Sequence, residues 1–203
     1  MEVRPGNGNT PSPIIGGIAR VARQLAFRWW RVRGIVKLAF LRLAYPSAHF
    51  GRGILIDPSA RISVTDGGAL TIGAGTEIGA NAMIAAQGGV ITIGANSYIG
   101  VGAIIIAKQS LEIGEDALLS QYVSIRDHDH RFDDGALPYR QQGFTVQPVS
   151  IGRNVWLGAK VSVMRGITIG DNSVVGANAV VTHDVARDTV SVGVPARPVR
   201  TLP

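Results

Sequence analysis

Residues 71–84 read TIGAGTEIGANAMI, with Ile72, Ile78 and Ile84 six positions apart and Gly73 and Gly79 directly behind the first two. The beat continues outward as Ile93, Ile99 and Ile105; Ile113, Leu119 and Ile125; then Ile151, Leu157, Val163, Ile169, Val175 and Val181. Nine of these aliphatic residues are followed at once by Gly, which is too regular for chance. A six-residue period fits neither a helix nor a lone two-sided strand. It fits a coil whose flat faces are short strands of about five residues joined by tight bends. One aliphatic then points inward per face, and the Gly beside it lets neighbouring backbones come close. No single coil can bury that face, but stacked coils cover one another.

Grouped in threes, the beat gives coils starting at Ile72, Ile93, Ile113, Ile151 and Ile169, after an irregular turn around Ile56 and Ile62. Between Ile125 and Ile151 the step is much longer than elsewhere, so residues 126–150 are expected to leave the coil and project. Projecting loops on a rigid scaffold are where function concentrates. The fold expected is all-β, a parallel β-helix of residues 51–186. A helical extension (1–50) precedes it and a C-terminal tail (187–203) follows.

Composition narrows the chemistry. There is no cysteine among the 203 residues, which removes disulfide frameworks, thiolate zinc sites and cysteine nucleophiles, and fits a reducing cytoplasm. The net charge of +6 is unevenly spread: up to Arg52 the balance is +8, and beyond it −2. In the extension, Ile14, Ile18, Val21, Leu25, Trp29, Val32, Val36, Phe40 and Leu43 recur at steps of three and four. That spacing marks an apolar stripe along one helix or a pair. Seven basic residues, from Arg20 to Arg42, occupy much of the remainder. The extension reads as a cap over the open end of the coil, as a peripheral contact with an anionic membrane through residues 14–45, or as both. No apolar run is long enough to span a bilayer, and no secretory signal pattern is present. Nucleic-acid binding is not expected, since a basic patch alone is only an electrostatic footprint.

The residues of Ile151–Gly158, of Gly166–Ala177, of Val181-Thr182 and of Gly193–Arg197, in that order, resemble the hexapeptide-repeat acyltransferases. The likeness is to the maltose, galactoside and nodulation-factor O-acetyltransferase branch with its polysaccharide-modifying relatives. It runs from about Ile56 to the C-terminus. It implies a left-handed β-helix, a homotrimer, and acetyl-CoA bound as co-substrate between subunits, with no tightly held cofactor. By the same matching, backbone contacts to the pantetheine arm fall on Ala159 and Ala177, while Thr182, His183, Arg197 and Arg200 approach the nucleotide end. Arginine suits phosphate through charge-assisted hydrogen bonds.

The projecting loop opens Arg126-Asp127-His128-Asp129-His130-Arg131. Moving an acetyl group from a thioester to a sugar hydroxyl needs a base, and imidazole has the right pKa range. The galactoside-type pattern, matched without gaps from Ile113-Gly114, implies His130 in that role, with its second ring nitrogen held by a carbonyl or acid. His128 is the alternative, because residues two apart on an extended segment share a face. Asp127 and Asp129 either orient a ring or face water. Trp156 either walls the acceptor and thiol region or packs against the loop. No acyl-enzyme is expected.

Three departures bear on the acceptor. Where galactoside-type relatives place a sugar-binding carboxylate and amide, the matching puts Lys108 and Gly100, which argues against the same acceptor. The loop is also slightly longer than in that branch, and the basic helical extension differs from its N-terminus. Together these favour a larger or membrane-associated glycan. Other readings are a sugar N-acetyltransferase, a xenobiotic acetyltransferase, a non-catalytic scaffold, or a γ-type carbonic anhydrase. The last needs three histidines around a metal, and with only the distant His49 or His183 to complete the set no metal site is expected.

Overall fold

The computed structural model describes residues 13–203, with side chains from residue 24 onward. One helix, α1 (Pro13–Ala44), leads into a coil of short strands that form three parallel sheets, with strands stacked from successive turns. The architecture fits the left-handed parallel β-helix. Stacking follows the beat of the sequence. On one face Ile72, Ile93, Ile113, Ile151 and Ile169 lie in register. Ile78, Ile99, Leu119, Leu157 and Val175 line the second. Ile84, Ile105, Ile125, Val163 and Val181 line the third. All fifteen are buried, and each such burial stabilises the fold by roughly 1.5–3 kcal/mol.

The hexad glycines follow from that stacking. A Cβ built on Gly94 would stand 2.3 Å from the Glu115 backbone nitrogen of the next turn, a distance no side chain tolerates. At the bends, Asn81, Asn96, Asp116, Asn154, Asn172 and Asn178 take positive φ. Asn and Asp are the non-glycine residues that enter this region most easily.

The coil begins earlier and ends later than the sequence beat. Ala48–Phe50 pairs with Ala69–Ile72, so the first face starts at Ala48. Thr189–Val192 joins the second face and pairs with the antiparallel strand Arg197–Thr201. The segment after Val181 is therefore built into the sheet as a hairpin.

The extension is a single helix, and it docks on the first turn by an unexpected face. Gly34 and Leu41 are buried against the coil, with Trp30, Lys37 and Leu38 partly so. A side chain at Gly34 would meet the Ile56 carbonyl oxygen at 2.5 Å. The described part of the predicted apolar stripe points away: Trp29 is 67% exposed, Phe40 64% and Leu43 84%. Ile14, Ile18, Val21, Arg20 and Arg23 lie outside the residues whose side chains are described.

Polar contacts complete the dock. The Trp30 indole donates to Asp57 at 2.7 Å, and the Lys37 ammonium donates to the carbonyls of Pro58 and Ala60. For Lys37 burial lowers the pKa and outweighs the attraction of Asp57. For Asp57 burial acts upward, but the bonds from Ser59 and Trp30 together bring the carboxyl below its ordinary range. Asp57 therefore contributes stability that is present above its unfolded pKa and lost as pH falls through the lower folded value. Lys37 stays protonated across that acid range, so the change there belongs to Asp57. Acid titration should move the Trp30 indole N–H resonance as the helix loosens below pH ~4, and Asp57→Asn should abolish that acid transition.

Candidate active site

The long step in the beat resolves into a hairpin rising from one edge of the prism. The third-face strand Ser124–Arg126 ends at this edge, and Val149–Ile151 resumes on the first face. Between them His128–His130 pairs antiparallel with Phe144–Val146, with His128 opposite Val146 and His130 opposite Phe144. A short 3-10 turn, Tyr139–Gln141, lies in the outer part of the loop.

Asp127 roots the hairpin. It is fully buried, and its carboxylate accepts the backbone N–H groups of Lys108, Gln109 and Ser110 at 2.6–3.0 Å. It also stands 2.9 Å from His128 Nδ1. Of the two roles left open for Asp127, it meets a ring and does not face water. From Ile125, which points inward, a two-residue alternation aims Asp127 inward as well, and the amides there replace water. The Asp127 carbonyl takes the N–H of Gln147, which closes the base of the hairpin.

The two histidines share a face and pack on Phe144. Its ring centroid is 5.3 Å from that of His128, edge to face, and 4.4 Å from that of His130. Lys108 Nζ lies 4.1 Å from the same centroid, a cation–π distance. His128 is nearly enclosed, with its Nδ1 on the acid. His130 is exposed, and none of its ring nitrogens is held by a carbonyl or acid among the described residues. The anchored ring is thus His128, contrary to the anchoring expected for His130.

Asp129 alternates to the opposite face and orients neither ring. Its carboxylate lies 3.0 Å from Arg165 Nε, off the line of a hydrogen bond, so charge holds the pair. Arg165 also donates to the Gln147 side chain. This clamp ties the hairpin to the next turn of the coil. Neither Phe144 nor Arg165 was singled out from the sequence, although Phe144-Thr145-Val146 has the aromatic and β-branched character of a strand.

The remaining predicted residues fall into two groups. Thr182 and His183 leave the third face at the same edge as the hairpin, two turns on, since Ile125, Val163 and Val181 are in register. There His183 Nδ1 meets the Thr182 hydroxyl at 2.9 Å, with an Arg197 guanidinium nitrogen at 3.4 Å. Arg200 is exposed on the terminal strand, opposite Val190 in the second-face sheet. Trp156 sits on the second face, half-exposed, its indole donating to Ser120. Ala159 and Ala177 follow that face at the next bend. One subunit therefore separates Trp156, Ala159 and Ala177 from the histidine edge. Among the described residues no three His, Asp or Glu side chains converge as a metal-ligand set.

Residues 90–120 and 148–183 match the family described as the hexapeptide repeat of succinyl-transferase. Both stretches carry the hexapeptide repeat of that family, over about a third of the chain. It is 44% identical over 90 residues to a protein named as a probable acetyltransferase of Mycobacterium tuberculosis, covering 44% of this chain and 30% of that protein. With the galactoside O-acetyltransferase of Escherichia coli it shares 36% over 94 residues, 46% of this chain and 45% of the relative. The matches thus span less than half the length of these relatives. A solved hexapeptide-repeat-containing acetyltransferase of Vibrio cholerae superposes with TM-score 0.56 at 28% identity, covering 84% of this chain and 81% of the other. An N-acyltransferase of Bacillus cereus, solved with dTDP and 3-hydroxybutyryl-CoA, shares the fold alone, with TM-score 0.70 at 20% identity over 82% and 88% of the chains.

Asp127→Asn removes the charge and replaces one of the two acceptor oxygens by a donor NH2, so either the amides or the His128 ring lose a partner. The substitution should cost about 1–3 kcal/mol in chemical unfolding and release the His128 ring, seen as a change of its tautomer by nitrogen NMR.

Proposed function

We propose that the protein is an acetyl-CoA-dependent O-acetyltransferase that acetylates a saccharide hydroxyl in surface polysaccharide or glycan biosynthesis. The observation that carries this reading is an exposed imidazole, His130, held on a braced hairpin of a hexapeptide-repeat coil. His130 takes the proton of the acceptor hydroxyl as its oxygen attacks the thioester carbonyl. The tetrahedral intermediate then expels the CoA thiolate, which recovers the proton. General-base assistance of this kind contributes about 10²–10⁴-fold.

The separation of Trp156, Ala159 and Ala177 from the histidine edge supports a homotrimer, in which a neighbour's second face would meet that edge. Acetyl-CoA would lie in the cleft between them, with Thr182, His183, Arg197 and Arg200 at its nucleotide end. A second reading makes His128 the base, because Asp127 holds its Nδ1 and would leave Nε2 as acceptor.

Histidine variants separate the two. His130→Ala should reduce acceptor-dependent CoA release by about 10²-fold or more while leaving trimer and acetyl-CoA binding intact. Loss in His128→Ala, with activity kept in His130→Ala, assigns the base to His128.

The outward stripe of α1 supports peripheral membrane contact, since Trp29, Val32, Val36 and Phe40 line an apolar groove that Arg33, Lys37 and Arg61 border. No helix of the described residues is long and apolar enough to cross a membrane. The protein should sediment with anionic phospholipid vesicles and not with zwitterionic ones, and the Trp29→Ser/Phe40→Ser double variant should lose that binding. Equal recovery of variant and parent would remove the membrane from this reading.

A further inference from the structure

The outer part of the hairpin places two arginines, Arg131 and Arg140, beside His130. Beside His130 lies a cleft of about 440 Å³ lined by His130, Arg131, Phe132, Tyr139 and Arg140. Its aromatic rings are open to solvent, Phe132 at 76% and Tyr139 at 68%. Arg131 is occupied by Asp133 through two contacts of 3.1–3.3 Å. Arg140, among the described residues, has no ion pair and no side-chain hydrogen bond. From the bend of the coil after Ile104–Ala107, Lys108 reaches the Phe144 ring, against which His130 packs.

None of the hairpin's acids pairs with Lys108 or Arg140. Asp127 is saturated by three amides and His128. Asp129 faces Arg165, Asp133 holds Arg131, and Asp134 accepts the N–H of Ala136. Lys108, beside Phe144, and Arg140, in the cleft, thus flank the exposed His130 without an ion pair among the described residues, next to flat aromatic faces of the kind that sugar rings stack on. A neutral sugar offers these cations only weak hydroxyl acceptors. An anionic group offers charge-assisted bonds, worth about 1.5–3 kcal/mol each.

We infer that the acceptor is an anionic saccharide, whose carboxylate or phosphate is met by Lys108 and Arg140 while its ring lies on Phe132 or Tyr139. The inference rests on the acyltransferase reading only for the word acceptor; the charge preference is a property of the cleft.

Direct binding tests it without requiring turnover. The full-length protein is titrated with methyl galactoside, methyl galacturonide and galactose 6-phosphate, followed by saturation-transfer NMR, with CoA release measured in parallel. The charged probes should bind at least ~10-fold more tightly than the neutral one, since one charge-assisted bond is worth about that much. Added salt should narrow the gap. Lys108→Gln and Arg140→Gln should each weaken the charged probes by about tenfold and raise their KM rather than lower kcat, with the neutral probe unchanged. Lys108→Arg should restore binding, which a mere packing role beside Phe144 would not require. Preference for the uronide or for the phosphate identifies which anion the cleft serves. Equal or tighter binding of the neutral sugar, no binding of either charged probe, or indifference to both substitutions overturns the inference. Charged-probe binding without CoA release in any arm leaves it standing and removes the O-acetyltransferase reading instead.

Discussion

Successive turns of this coil lie at the strand spacing of about 4.8 Å, and everything else depends on that close backbone approach. It is compatible only with glycine at the bends that a Cβ would block, as at Gly94. It also forces one inward aliphatic per face to sit directly on its equivalent a turn away. The resulting ladders, Ile72 through Ile169 and their two counterparts, form a dry core with no freedom of register. A slip of one residue would turn every ladder outward. The rigid edge so produced is what a functional hairpin can be mounted on.

The mounting uses polar chemistry at the place where the ladder is interrupted. Asp127 points into the protein like the aliphatic two residues before it, and its carboxylate collects the amides of Lys108, Gln109 and Ser110. That fastens the start of the hairpin to the preceding turn. Arg165, through Asp129 and Gln147, fastens it to the following one. With both ends held, Phe144 can support two imidazoles and an ammonium on one face. Buried acid, charge clamp and aromatic floor together convert a loop into a positioned group of side chains.

The helix shows a different balance. Its dock uses a glycine-lined approach, the buried Leu41, a partly buried lysine and an indole-to-carboxylate bond. The apolar residues of the described part of the stripe remain outside. A cap needs only enough contact to cover the first turn, so the stripe that dominates the helix sequence is left for another surface.

The six-residue beat by itself determined the coil, its turns, its three inward ladders and the site of its one long interruption, because periodic burial must repeat wherever identical turns stack. The order of motifs after Ile151 carried the likeness to hexapeptide-repeat proteins. What each loop carboxylate does was decided only in three dimensions. Asp127 and Asp129 are adjacent in type and spacing, yet one meets amides from the turn before and the other an arginine from the turn after. The helix face followed the same rule: periodicity located an apolar stripe, but the fit of Gly34 against Ile56 chose the side that docks. Partners brought together by stacking are distant in sequence, and no local pattern records them.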